Sequence, residues 1–146
     1  MPNATSPPEV QTAMLLGLPQ RLGGEGLGGF THNERIVLGQ TARTLSAKDC
    51  RYCDLYWDDG LDLECQSTAF HDNDASFLSD ADRSAALEAM GIRVLPMTSS
   101  RLGSVRSVEA LAATARTMRG LPRHAKTQRQ HQASVELLRE TQVDWA

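Results

Sequence analysis

The chain has 146 residues, 40% of them hydrophobic and 23% charged, with a formal net charge of −3, which suits one globular domain with a proper core. No apolar run approaches a membrane span, since residues 14–18 are short and Pro19 follows, and no basic segment leads into a hydrophobic stretch as in a signal peptide. Three cysteines, an odd number, argue against a disulfide framework and point to a reducing cytoplasm.

In chain order, Ser6 reads as the N-cap of a first helix, with Pro7 in its first turn and Glu9 completing a Ser-x-x-Glu capping box. Val10, Ala13, Met14 and Leu18 would form its buried stripe. Residues 21–29 are glycine-rich but lack the Gly-Lys-Ser/Thr ending of a phosphate loop, and no strand precedes them. They read as a mobile connection. Residues 35–38 suit a first strand closed by Gly39, and residues 41–49 suit either a short helical turn or a loop.

Residues 52–57 and 61–66 read as two antiparallel strands joined through Asp58-Asp59-Gly60. In the second strand Leu61, Leu63 and Cys65 alternate with Asp62, Glu64 and Gln66, giving one apolar and one polar face. With residues 58–60 as the loop, Trp57 pairs with Leu61 and the same register sets Asp54 opposite Glu64. Further along, Ser79 is the expected N-cap of a helix running through Met90, with Asp80 and Asp82 in its first turn. Gly91 is its left-handed stop, and residues 92–97 form a short strand. Ser107 then caps a helix whose Val108, Leu111, Ala112, Ala115 and Met118 share a face, ended by Gly120 and Pro122. A last helix, about residues 126–141, is anchored by Val135 and Leu138. Strands in the middle and helices on both sides predict a single α/β domain over residues 1–146, its core at about 6–119.

The Asp54–Glu64 pair carries the chemistry. Like charges opposite one another on a sheet are destabilising, and a shared cation removes that penalty. Paired carboxylates suit Mg²⁺ or Mn²⁺, hard ions with oxygen ligands that retain waters for chemistry on phosphates.

This spacing resembles the signature of the PD-(D/E)XK nuclease superfamily, a hairpin carrying Asp and then Glu-x-Lys. It is closer to uncharacterised bacterial domains related to very short patch repair endonucleases. The residues carrying that likeness are Asp54-Leu55-Tyr56-Trp57, Glu64-Cys65-Gln66-Ser67, Phe70-His71, Asp80-Ala81-Asp82-Arg83 and Leu87-Glu88-Ala89-Met90-Gly91-Ile92-Arg93-Val94, with Ser6-Pro7-Pro8-Glu9 upstream. The resemblance implies a restriction-endonuclease-like mixed sheet with a central antiparallel hairpin, flanked by helices. It implies a metal-dependent endonuclease in which Asp54 and Glu64 hold Mg²⁺ or Mn²⁺, with Glu9 reaching the ion from the first helix. Gln66 would orient water, His71 would assist proton traffic or contact phosphate, and Arg83 would clamp a phosphate. The capping box is the competing account of Glu9, and an i,i+3 pairing with Asp80 that of Arg83. Related domains often form the C-terminal part of a longer chain.

Gln66 departs from the pattern, standing where the superfamily has Lys and the closer relatives Asp. Glutamine is neutral and no general base, although its amide orients water. The alternative is therefore a catalytically reduced module of the same fold, binding DNA or a protein partner in a defence or toxin–antitoxin system.

Charge is divided along the chain: 10 of 18 acidic residues lie between Asp49 and Asp82, and 8 of 15 basic ones between Arg101 and Arg139. An acidic centre beside a basic C-terminal third suits a polyanionic partner, DNA rather than RNA, with Arg116, Arg119, Arg123, Lys126 and Arg129 as phosphate contacts. A solvated helical face is the competing account. Cys50-Arg51-Tyr52-Cys53 is a C-x-x-C, but without a second such pair zinc binding through it is not expected. Trp57 is assigned to the core.

Overall fold

The Asp-Gly turn forms as its chemistry dictates. Gly60 adopts φ 101° and its N–H donates to the Trp57 carbonyl at 3.0 Å, a backbone conformation that glycine reaches without a Cβ penalty. On either side run β2 (Cys50–Trp57) and β3 (Leu61–Gln66), paired antiparallel through Trp57↔Leu61, Tyr56↔Asp62 and Leu55↔Leu63. This is the register expected from the sequence. In a computed structural model describing residues 7–46, 48–66 and 74–142, the hairpin forms the centre of a four-stranded mixed sheet of order β1-β2-β3-β4. β1 (Thr31–Val37) joins β2 antiparallel and β4 (Arg93–Thr98) joins β3 parallel. Pro96, which has no N–H for a ladder, is tolerated because β4 pairs on its β3 side and ends the order.

The chain divides into two compact units, one running from Thr31 to Thr98 and the other joining the segment that ends at Phe30 to the segment that begins at Ser99. In the first, α2 (Gln40–Thr44) and α3 (Asp74–Ala89) accompany the sheet. Ile36, Leu38, Ala42 and Ala86 pack in one cluster. Cys53, Leu87 and Ile92 pack in another with Tyr56 and Val94. Residues 41–49, left open between helix and loop, contribute the end of α2. α3 begins five residues before the expected cap at Ser79 and ends at Gly91, whose φ of 80° is the left-handed stop.

The second unit contains α1 (Pro7–Gly17), α4 (Val105–Arg119) and α5 (Gln128–Thr141). Its helices correct three expectations of phase. α1 buries Glu9, Thr12, Leu15 and Leu16 rather than a stripe through Val10, Ala13 and Met14. Apolar residues occupy so many of its positions that several stripes compete. α4 starts from Ser104, whose hydroxyl accepts the Ser107 N–H at 3.1 Å, so Ser107 lies inside the helix. Val108, Leu111, Ala112 and Ala115 are buried as expected, but Arg116 joins them and Met118 does not. α5 is capped by Thr127 in a reciprocal box with Gln130 and buries Ser134, Leu137 and Thr141, leaving Val135 exposed.

The glycine-rich segment is also corrected. It docks through Glu25 N–H to Leu15 carbonyl at 2.9 Å and Leu27 N–H to Leu16 carbonyl at 2.7 Å, with Leu27 buried. A Cβ on Gly24 would stand 2.1 Å from the Leu18 carbonyl oxygen, and one on Gly23 2.3 Å from that of Ala133. The glycines serve close backbone approach rather than mobility.

Candidate metal centre

The β2–β3 pairing runs as far as Leu55↔Leu63, and just beyond it the carboxyls of Asp54 and Glu64 meet in hydrogen-bond contact. Asp54 does not complete an ordinary ladder there. Its Oδ2 accepts the backbone N–H of Cys65 at 2.9 Å, which turns the carboxylate across the hairpin. On its other side, β1 pairs with β2 through His32↔Leu55 and Glu34↔Cys53, and Asn33 between them has φ 50°. β1 therefore leaves the extended conformation at this point, while β2 keeps an alternating burial pattern. Cys53, the residue before Asp54, brings its Sγ to the carboxylates of Asp62 and Glu64, the three donor atoms lying within 4.8 Å of one another.

The structure encloses the polar stripe of β3. Asp62 is 0% and Glu64 5% exposed, because β3 is covered by strands on both edges and α3 brings Arg83 against the stripe. The Arg83 guanidinium donates to Glu64 Oε1 and to the Tyr52 carbonyl, and stands 3.9 Å from Asp62 Oδ2. Arg83 thus neither faces solvent as a phosphate clamp nor depends on its own helix for a partner. It is the counter-charge of the buried acids.

One guanidinium does not balance three carboxyls. Burial, then the adjoining Glu64, raises the Asp54 carboxyl to about 7, with the Cys65 N–H and Arg83 opposing. Burial, then Asp62, raises Glu64 to about 8, Arg83 offsetting only part of the effect. Burial also pushes Asp62 above the usual carboxylate range and drives the Cys53 thiol far up, with Asp62 and Glu64 adding to it. These groups titrate as a set, and the set holds protons into the neutral range for want of positive charge. Asp62 is the extreme case: among the described residues, neither of its oxygens has a hydrogen-bond partner.

The other expected site residues fall out differently. Gln66 is half-buried, two residues beyond Glu64 and paired with Thr98 of β4. Glu9 is buried on α1, in the other compact unit. His71 lies outside the described residues. Of the basic third, Arg116 and Lys126 are not exposed phosphate contacts. Arg116 donates to the Glu25 carbonyl and lies 3.7 Å from the Glu25 carboxylate, which Lys126 Nζ meets at 2.5 Å. Arg123 and Arg129 are exposed and Arg119 is half-buried. Sequence reasoning missed Asp62 and Cys53 as members of the cluster. The alternation did place Asp62 beside Glu64, whereas nothing in the local pattern signalled Cys53.

Among the described residues no helix is long and apolar enough to cross a membrane. No protein-family model, curated protein or solved structure matches the chain.

Proposed function

We propose that the β2–β3 hairpin is the metal-holding site of an endonuclease, a Mg²⁺- or Mn²⁺-dependent hydrolase of nucleic-acid phosphodiesters, DNA before RNA, on a restriction-endonuclease-like sheet. The observation that carries this reading is the meeting of Asp54 and Glu64 on adjacent central strands, with carboxyl groups that remain short of positive charge. Perturbed carboxyls gathered in this way are the usual mark of a site rather than of packing. An oxygen-rich acidic set fits a divalent cation, which would supply the missing charge and acidify a bound water.

The chain's own groups then have distinct tasks. Asp54 and Glu64 hold the ion, and the Cys65 N–H fixes the orientation of Asp54. Gln66, neutral, can orient a water but not deprotonate it. Arg83 keeps Glu64 in place from α3. Exposed Arg123 and Arg129, with Arg119, remain as candidate phosphate contacts.

A second reading, a catalytically reduced module that binds nucleic acid, is favoured by two features: Gln66 itself, and Arg83 already engaging Glu64. Calorimetry with Mn²⁺, coupled to cleavage of labelled duplex and single-stranded DNA and RNA, separates the two. The nuclease reading expects Mn²⁺ binding that Glu64→Ala and Asp54→Ala abolish. It also expects slow cleavage that rises with pH and improves in Gln66→Lys, where a positive charge returns beside the scissile phosphate. Nucleic-acid binding with no cleavage by any of these chains in either metal leaves the binding module.

A further inference from the structure

Asp62 has no task in the reading above, yet it is wholly enclosed and neither oxygen has a hydrogen-bond partner among the described residues. The Arg83 guanidinium at 3.9 Å is beyond hydrogen-bond reach. A polar group buried in that state is costly, and an apolar residue in the middle of a sheet would avoid that cost. Cys53 is equally enclosed at 0% exposure, and its Sγ lies with one oxygen each of Asp62 and Glu64 inside a 4.8 Å span.

We propose that Cys53, Asp62 and Glu64 are the three protein ligands of a thiophilic divalent cation of the zinc class, with Arg83 orienting Glu64 beside it. The inference rests on the reading that Glu64 holds a metal, and it changes which metal. Mg²⁺ takes oxygen ligands, whereas a thiolate with two carboxylates suits a borderline-soft ion such as Zn²⁺ or Co²⁺. A tetrahedral zinc with ordinary bond lengths holds such ligands about 3.3–3.5 Å apart, so the span closes with side-chain shifts of roughly 1 Å. Three protein donors leave a fourth position open, which is the pattern of a catalytic rather than a structural zinc site.

Charge supports the same assignment. On binding, the Cys53 sulfur gives its lone pair to the ion, and its proton leaves to buffer together with those held by Asp62 and Glu64. A thiolate and two carboxylates then face a divalent ion and one guanidinium, so the three ligands are charge-balanced with Arg83 still in place. Arg83 therefore acts as a positioning residue, of the kind that orients a metal-binding carboxylate from behind, and not as a competitor that must leave.

Co²⁺ is the probe, because thiolate ligation produces an intense near-ultraviolet charge-transfer absorption that carboxylates alone do not. The full, reduced chain should take up one Co²⁺ with that band, and Zn²⁺ should displace it. Cys53→Ser should lose the band, and both Cys53→Ser and Asp62→Asn should bind at least about tenfold more weakly, while Cys50→Ser and Cys65→Ser keep the band. Circular dichroism establishes first that each variant is folded. Zinc X-ray absorption of the wild-type chain needs no variant and should find one sulfur in the ligand shell; a shell without sulfur overturns the proposal. So does a wild-type chain without the thiolate band, or a band that survives in Cys53→Ser. Mn²⁺ binding that needs Asp54 and Glu64 but is indifferent to Cys53→Ser would keep the metal reading of the preceding section and overturn this one. A thiolate band without phosphodiester cleavage would support this proposal and remove the nuclease.

Discussion

The chain buries two sets of charges, one in each compact unit, and they are built on opposite terms. In the second unit Glu25, 3% exposed, meets two cations, Lys126 Nζ at 2.5 Å and Arg116. Lys126 goes on to Ser134 Oγ at 2.8 Å, and Ser134 to the Gly23 carbonyl at 3.0 Å. Every member has a partner, and the network ties the glycine-rich segment to α4 and α5. In the sheet unit, Asp54, Asp62 and Glu64 share one guanidinium, and Asp62 has no hydrogen bond among the described residues. Both sets are costly to bury. The first is complete and reads as architecture. The second is in deficit, as groups kept for a ligand tend to be.

The largest expected effect breaks the complete network. Glu25→Gln removes the carboxylate that two buried cations share and should cost about 3–5 kcal/mol, seen as a lower urea midpoint. If the loss stays below about 1 kcal/mol, the two clusters are not different in kind. Asp62→Asn should act with the opposite sign, because removing one acid relieves the deficit. At pH 8 and without metal it should raise the midpoint by an amount on the order of 1 kcal/mol, and at pH 5, where Asp54 and Glu64 are protonated, by much less.

The wild-type pH profile sharpens the same comparison. The folded values of Asp54 and Glu64, about 7 and about 8, lie above their ordinary values of 3.8 and 4.5. The folded chain therefore binds more protons than the unfolded one between those limits, and stability falls as pH rises. On this account it should be highest below about pH 4 and decline until about pH 8, then level. Melting scans in metal-free buffer should show a drop of several degrees. A divalent ion should flatten the decline by replacing the protons. A profile that rises with pH would mean that Arg83 fully compensates the acids.

The smallest effect concerns the surface. With Arg116 and Lys126 committed to Glu25, Arg123 and Arg129 are the exposed members of the five candidate phosphate contacts. Charge reversal of Arg123 and Arg129 should lower the salt dependence of DNA binding by roughly one unit of slope per lost contact. Reversal of Lys126 should instead unfold the second unit. Binding that is absent at every salt concentration would leave these arginines as solvated helix faces.

Local rules carried further in the sheet than in the helices. The Asp-Gly turn, the β2–β3 register and the meeting of Asp54 with Glu64 were all legible, because a two-strand register follows from one turn and a period of two. The stop at Gly91 was legible for the same kind of reason, a single residue free to adopt positive φ. Helix phase was harder. In α1 the apolar residues define no unique stripe, and in α5 the buried face is set by Ser134 and its link to Lys126, neither of which looks like core in a sequence. Arg116 and Lys126 looked like a basic surface because their partner, Glu25, lies about a hundred residues away in a segment read as a loop.

What the sequence determined by itself is the hairpin, its acid pair and the mixed helix–strand order, since these depend on neighbours within a few residues. Only the tertiary structure decided that the polar stripe of β3 is enclosed, because burial there comes from β4 and α3, added later in the chain. It also decided that Arg83 serves Glu64 and the Tyr52 carbonyl, and that the Cys53 sulfur comes close to Asp62 and Glu64. Charge, hydrogen bonding and burial act through space, and the chain order alone does not carry those distances.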